Sequence, residues 1–253
     1  MQEPEKRVSG KVVDIDYGAT RRFFDQRADR PADDCSWTRV MYQDGNPQLV
    51  VARDEHEKQV VLPKLRLQET HRLLDVGCGV GRWAHAVAPI VRRYLGTDFS
   101  DGLLDRARES LRGYDNVEFQ CVPAQEVGTI SGTSEPFNRV IVAGVLAYLN
   151  DDDVRRCLRG IAEVCSSTDA TVYIREPMGV EARLTLDKFW SEQLGSEYSA
   201  IYRSREEYQQ LLASTLCTEG FRIGEFTNLY PEDLQNRVET SQFIVLLHRD
   251  GAA

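Results

Sequence analysis

The sequence has no long apolar run, no paired cysteines and no excess of positive charge. Each absence closes off a class of function. No apolar stretch is long enough to span a bilayer, so no membrane partner is expected. The opening MQEPEKRVSGKVVDID lacks the apolar segment of a secretory signal. Cysteines at 35, 78, 121, 157, 165 and 217 form no Cys-x-x-Cys pair, and no histidine stands at zinc-ligand spacing from them. No metal site is expected, and the scattered thiols suit a reduced, cytoplasmic protein. Lys and Arg number 31 against 40 Asp and Glu, a net charge of −9. A nucleic-acid binder needs a basic footprint, whereas Arg21-Arg22, Arg92-Arg93 and Arg155-Arg156 read as isolated pairs on solvated helix faces. No nucleic-acid partner is expected, and the acidity leans towards a cationic small molecule.

What is present is a chain of 253 residues, 42% hydrophobic, enough for one elaborated domain with a sizeable core. Helical spacing runs from Gly18 to about Arg30 and is broken at Pro31. A second helix reads from Gln48 to Leu67, with Val51, His56, Val60 and Val61 on one side and Pro63 kinking or ending it. From there strand and helix alternate. The strands read His71–Val76, Arg93–Thr97, Val117–Val122, Arg139–Val145 and Ala170–Ile174; the helices read Arg82–Ile90, Asp101–Arg112 and Asp151–Cys165. Arg139–Val145 is apolar along almost its whole length, as in a strand covered on both faces. Two further strands are expected at Phe221–Thr227 and Gln242–His248. The alternation predicts an α/β fold with a doubly wound, mostly parallel sheet.

Ligands in such sheets bind where the strands end at their carboxyl side. Asp75 ends the first of these strands, and Gly77-Cys78-Gly79-Val80-Gly81 follows it. Asp98 ends the next, where a carboxylate accepts hydrogen bonds from ribose hydroxyls. Gly79-Val80-Gly81-Arg82-Trp83-Ala84 also fits the dinucleotide fingerprint. Asp75 argues against that reading, because a carboxylate there repels a pyrophosphate but not an ammonium or a sulfonium. A catalytic Tyr-x-x-x-Lys of the oxidoreductase kind is also missing.

LLDVGCGVGRWA followed by YLGTDFSDGLLDRARE resembles motif I and its successor in class I S-adenosylmethionine (SAM)-dependent methyltransferases. The likeness covers roughly residues 50–176. It implies a Rossmann-like, seven-stranded sheet with flanking helices. Residues 1–68 would form an N-terminal helical cap, and 69–253 the SAM-binding core with an acceptor-lid insertion at about 177–203. It implies SAM as methyl donor and S-adenosylhomocysteine as product. Asp75, Gly77, Cys78 and Gly79 would hold the amino-acid part, Asp98 the ribose and Phe99 the adenine. Pro123 stands where the family often carries an Asp near the adenine amine, so Ala124 and Gln125 take that place. Ala143 would lie under the methionine portion, and Tyr17 beside the sulfonium.

The resemblance also builds the acceptor side from Tyr17–Asp25, Tyr148, Arg175–Met178 and Phe189–Arg203. Glu176, His85 and Tyr148 are the candidate catalytic groups. MYQDGNPQL and EYSAIYRSREEY are similar to bacterial methyltransferases of natural-product and sugar pathways. The leading expectation is methyl transfer to an N or O atom of a polar small molecule, such as an amine, an amino sugar or a secondary metabolite. The alternatives are O-methylation of a hydroxyl or carboxylate with Glu176 or His85 as base, and a SAM-binding module without transfer activity. A homodimer is compatible with this reading.

Overall fold

The computed structural model describes residues 6–29, 37–41, 45–130, 134–192 and 194–251. In chain order the elements begin with strand β1 (Arg7–Ser9) and helices α1 (Tyr17–Ala28), α2 (Thr38–Met41) and α3 (Pro47–Leu65). Next come β2 (Arg72–Val76), α4 (Ala84–Val87), β3 (Arg93–Asp98), α5 (Asp101–Ser110), β4 (Val117–Cys121), β5 (Arg139–Ala143) and α6 (Asp151–Val164). The last part holds β6 (Asp169–Gly179), β7 (Leu184–Ser191), β8 (Ser196–Tyr202), α7 (Arg205–Ala213), β9 (Arg222–Ile223), β10 (Thr227–Asn228) and β11 (Thr240–Asp250).

Side-chain caps place the helix starts. Asp16 accepts from the amides of Gly18 and Ala19 at the head of α1, Asn46 from Leu49 on α3, and Ser100 from Leu103 on α5. Pro63 does not stop α3 at its own position. The helix runs two residues further, to Leu65, and ends where Arg66 turns left-handed at φ 46°.

The main sheet runs β10-β11-β6-β5-β2-β3-β4, with β9 also paired to β11, eight strands among the described residues. The five strands from β6 to β4 are parallel and β11 is antiparallel to β6. Where one strand is expected over Phe221–Thr227, the chain forms the two-residue pieces β9 and β10 with a bend between them.

Both faces are covered, as the apolar runs require. Leu73, Tyr94, Ile141 and Tyr173 pack with Val61 and Leu65 of α3. Leu74, Leu95, Val140, Val142 and Val172 pack with Leu158 and Ile161 of α6. This is the alternation of a pleated strand, with successive residues serving opposite layers.

The insertion expected at about 177–203 builds a second sheet. β7 and β8 form an antiparallel hairpin, and β1, from the N-terminal lead-in, adds to β7 as a third strand. This second sheet lies against α1. Phe23, Phe24 and Ala28 pack with Leu184, Leu186, Tyr198 and Ala200, and with Leu103 of α5.

Candidate active site

The glycine loop joins the carboxyl end of β2 to α4. Its chain direction depends on left-handed residues: Gly77, Gly79 and Gly81 have φ of +68°, +53° and +78°. A Cβ on Gly77 would lie 2.4 Å from Val145 Cγ2, and one on Gly79 would lie 2.7 Å from Val40 Cγ1. The Cys78 amide donates to Thr97 O at 2.9 Å, and the Gly79 amide to Asp98 Oδ2 at 3.0 Å. The loop is thereby tied to the end of β3. The other Asp98 oxygen accepts from the Ser100 amide at 3.0 Å. Burial pushes Asp98 up to about 6, opposed by the amides of Ser100 and Gly79.

A cavity of about 170 Å³ opens over this loop. Of the residues predicted to hold the cofactor, Tyr17, Gly77, Gly79, Asp98, Phe99, Ala124, Gln125 and Ala143 line it. Phe99 is enclosed by the ring of Phe24 at 5.4 Å and the Arg21 guanidinium at 5.5 Å. Thr20 and Phe24, from the Tyr17–Asp25 segment expected on the acceptor side, also line the cavity, as do Leu103, Val145 and Leu149, which the sequence does not mark. Such apolar wall residues look like ordinary core residues on a helix or strand.

Two predicted residues do not line the cavity. The Asp75 carboxylate is buried and accepts from the Tyr94 hydroxyl at 2.6 Å; burial pushes it up to about 7. The Cys78 side chain turns towards β3, where a Cβ on Gly96 would come within 2.7 Å of its Sγ. Burial raises its thiol well above the usual range.

A second cavity of about 220 Å³ adjoins the first. Val40, Ala143, Gly144 and Tyr148 line both. The second sheet supplies one wall through Leu184, Leu186, Phe189, Tyr198 and Tyr202. The hydroxyls of Tyr148 and Tyr198 are 2.8 Å apart, and Tyr202 donates to Tyr198 at 3.3 Å. Burial, then Tyr198, raises the Tyr202 phenol well above its usual range, so it stays neutral.

The structure corrects two catalytic candidates. Glu176 does not face the crevice. On β6 Arg175 points to the cavity, so Glu176 points to the opposite layer. Its carboxylate accepts from the amides of Val145, Leu146 and Ala147 at 2.8, 2.9 and 3.1 Å, holding the turn after β5. Burial raises its pKa, with those amides and Arg175 opposing. His85 lines neither cavity. Its ring meets Trp37 at 5.3 Å, and Nε2 lies 3.3 Å from Ser110 Oγ. His56 is likewise elsewhere, with Nε2 2.9 Å from Leu229 O. Tyr148 stands at the junction of the two cavities.

Beneath the junction lies a buried charge network. Glu57 meets Arg82 at 2.9 Å, Arg175 at 3.3 Å and the Tyr173 hydroxyl at 2.8 Å. Burial alone would raise Glu57, but Arg175 and Arg82 outweigh it and hold it at about 2. Asp54 binds Arg82 and Lys58, each at 2.7 Å. Among the described residues no group of histidine, cysteine and carboxylate side chains is arranged to hold a metal. Nor is any helix there long and apolar enough to cross a membrane.

With this geometry in place, the relatives are informative. Residues 73–168 match a family described as a methyltransferase domain. The phosphoethanolamine N-methyltransferase 1 of Haemonchus contortus was solved with phosphoethanolamine and S-adenosylhomocysteine. It superposes with a TM-score of 0.69 at 18% identity, over 93% of this chain and 49% of that one. A SAM-dependent methyltransferase of Leishmania major gives 0.64 at 16% identity, over 89% and 82%. The phosphoethanolamine N-methyltransferase 1 of Caenorhabditis elegans is 24% identical over 152 residues, 58% of this chain and 30% of that protein. The matches span 30% to 40% of the length of the curated relatives. The chain carries a methyltransferase domain with the fold of SAM-dependent methyltransferases, and SAM is the cofactor of that class. The residues present fit it: a cradle that any Cβ would fill, and a buried carboxylate at the end of the second parallel strand.

Proposed function

We propose that the protein moves a methyl group from SAM to a nitrogen of a polar small molecule. The observation that carries this reading is the meeting of two cavities at Ala143, Gly144 and Tyr148, with the glycine loop and Asp98 in the smaller one.

In this reading the Gly77 and Gly79 backbone leaves room for the amino-acid part of the cofactor, and Asp98 accepts from the ribose hydroxyls. Phe99 covers the adenine, with Ala124 and Gln125 at its edge. SAM supplies a methyl on a positively charged sulfur, an electrophile ready for in-line displacement. The chain's task is to bring the acceptor into line and to exclude water. Tyr148 bounds the junction, and α1 with the β7–β8 hairpin closes the acceptor side. Held there, the cofactor would give up its methyl to the lone pair of the acceptor's neutral nitrogen, with the C–S electrons staying on sulfur. The surplus proton leaves nitrogen for water.

Nitrogen is favoured over oxygen because, among the described residues, no histidine lines either cavity, and Asp98, the carboxylate of the smaller one, is held by the Gly79 and Ser100 amides. Glu239, at the rim of the larger one, is engaged by Arg7. A neutral amine needs no base before attack, whereas a hydroxyl does. O-methylation through Glu176 or His85 loses its support, since both side chains are engaged elsewhere.

Residues 1–68 and about 177–203 are proposed as the acceptor-facing cap of the 69–253 core. A cytoplasmic setting, natural-product biosynthesis and a second copy of the chain as partner belong to the same reading. The test is methyl transfer from labelled SAM to a panel of amines, amino sugars and phenols, with calorimetry of SAM, S-adenosylhomocysteine and NAD alongside. Transfer to amines ahead of phenols is the expected result. Tighter binding of NAD than of SAM would sink the reading.

A further inference from the structure

The net acidity of the chain leans towards a cationic acceptor, but the larger cavity has the opposite character. Arg53, Arg175 and Arg237 line it, together with Arg7, which is paired to Glu239. These arginines come from α3, β6, the segment before β11 and β1, and the fold brings them together.

Two of them carry the inference. Arg53 is 8% exposed. Its Nε and Nη2 donate to Leu234 O at 2.8 and 2.6 Å, and Nη2 also to Asn236 Oδ1 at 2.8 Å. All of these acceptors are neutral. Its guanidinium lies 5.1 Å from the Tyr230 ring centroid, and Nη1 takes no partner among the described residues. Arg175 gives Nε to Glu57 and Nη1 to Gln242 Oε1 at 3.3 Å; Nη2 likewise has no partner among the described residues. Glu57 is shared with Arg82, and Asp54 is shared between Arg82 and Lys58. Two carboxylates therefore face Lys58, Arg82 and Arg175, and Arg53 has none among the described residues.

A buried cation without a counter-charge is costly unless a ligand supplies one. The crowding is felt within the cluster: burial, then Arg175 and Arg237, hold the Arg53 guanidinium below its usual range, with Tyr230 opposing. A fork of guanidinium N–H groups matches the oxygens of a carboxylate or phosphate.

We infer that the acceptor carries an anionic group, held between Arg53 and Arg175 with Arg237 at the rim. This rests on the reading that the larger cavity takes the methyl acceptor. Arg175 also limits the acceptor's length. Its Nη1 lies 2.9 Å from where a Cβ on Gly144 would be, and Gly144 lines both cavities. The anion and the methylated atom are thus a few bonds apart. A cavity of about 220 Å³ suits such a molecule. The substrate class is a short amino acid or amino phosphate, with the tyrosines of the second sheet around its amine.

The test is calorimetry on the protein saturated with S-adenosylhomocysteine. The probes are β-alanine, phosphoethanolamine, ethanolamine, acetate and inorganic phosphate. β-Alanine or phosphoethanolamine should bind at least about tenfold more tightly than ethanolamine, as expected of a charge-assisted contact. Acetate against phosphate tells which oxyanion fits. Arg53→Gln and Arg237→Gln should each remove most of that preference while S-adenosylhomocysteine affinity stays within about twofold. Arg237 is exposed, so that variant folds even where Arg53→Gln does not. Ethanolamine binding as well as its anionic counterparts, no anion binding at all, or a preference that survives Arg237→Gln and a folded Arg53→Gln overturns the anion subsite. Anion binding without methyl transfer to any probed amine counts against the function, not the subsite. Transfer to neutral amines without an anion preference does the reverse.

Discussion

The Tyr148 hydroxyl meets the Tyr198 hydroxyl at 2.8 Å, joining the turn after β5 to the middle of β8. This contact crosses the seam between the main sheet and the antiparallel sheet that walls the larger cavity. If no base is used, Tyr148→Phe and Tyr198→Phe should each lower turnover by less than about a hundredfold, the lower bound for a general base. KM for the acceptor should rise and SAM affinity should stay level. Steady-state kinetics beside SAM calorimetry checks this, and a larger fall in turnover would make a tyrosine the base.

Asp98→Ala should weaken SAM binding by about 1–3 kcal/mol, as for a lost hydrogen bond to a buried charged group. Asp98 is pushed up to about 6, and the ribose hydroxyls pair with its ionised form. SAM affinity should therefore fall as pH drops through 6 in the natural protein and stay flatter in the variant. Calorimetry at several pH values reads both effects.

Asp75 makes a different prediction, about folding. Its pKa lies near 7 in the fold against 3.8 for an ordinary Asp, so the folded state binds the extra proton in between. Its contribution to stability is complete below about 3.8 and is lost as pH rises through about 7. The cofactor-free protein should melt at a higher temperature at pH 6.5 than at pH 8. Asp75→Asn keeps an acceptor for the Tyr94 hydroxyl and should flatten that dependence. His71, His85 and His248 have lowered pKa values and pull the other way as pH falls through their usual 6.5, so the contrast with Asp75→Asn, not the natural protein alone, isolates Asp75.

Glu176→Gln tests the correction to its role. An amide cannot accept all three backbone N–H bonds well, so stability should fall by about 1–3 kcal/mol. The pH profile of turnover should keep its shape. Thermal unfolding and a pH–rate series separate the two, and a lost limb in the profile would restore Glu176 as a base.

Gly77→Ala should lower stability by more than about 1–2 kcal/mol, since φ is +68° and the new Cβ meets Val145. Adding Val145→Ala should recover the clash but not the backbone cost. A double-mutant cycle measures that difference.

The parallel strands and the glycine loop were legible because each leaves a local trace, an apolar run or glycines at left-handed positions. Asp98 was legible from its place at a strand end. What the sequence concealed was direction and distance. Nothing local tells which neighbour on β6 faces the crevice, so Glu176 was preferred to Arg175. Helix α3 hid its inner face because that face is charged: Arg53, Asp54 and Glu57 are buried with Val50, Val61 and Leu65, while Val51 is 39% exposed. A periodicity search for apolar residues passes over such a face. The hairpin β7–β8 is rich in aromatic and charged residues, and its pairing with β1 joins segments far apart in sequence.

Glu57 has a consequence for the order of events. It grips Arg82, which follows the glycine loop directly, and Arg175, which looks into the acceptor cavity. On the proposal that Arg175 takes an anion, a guanidinium drawn towards it would leave Glu57 more fully to Arg82. The two cavities then share one thermodynamic account: whatever factor the donor adds to acceptor affinity, the acceptor returns to the donor. That shared factor, not the affinities themselves, can be read from either titration run with and without the other ligand.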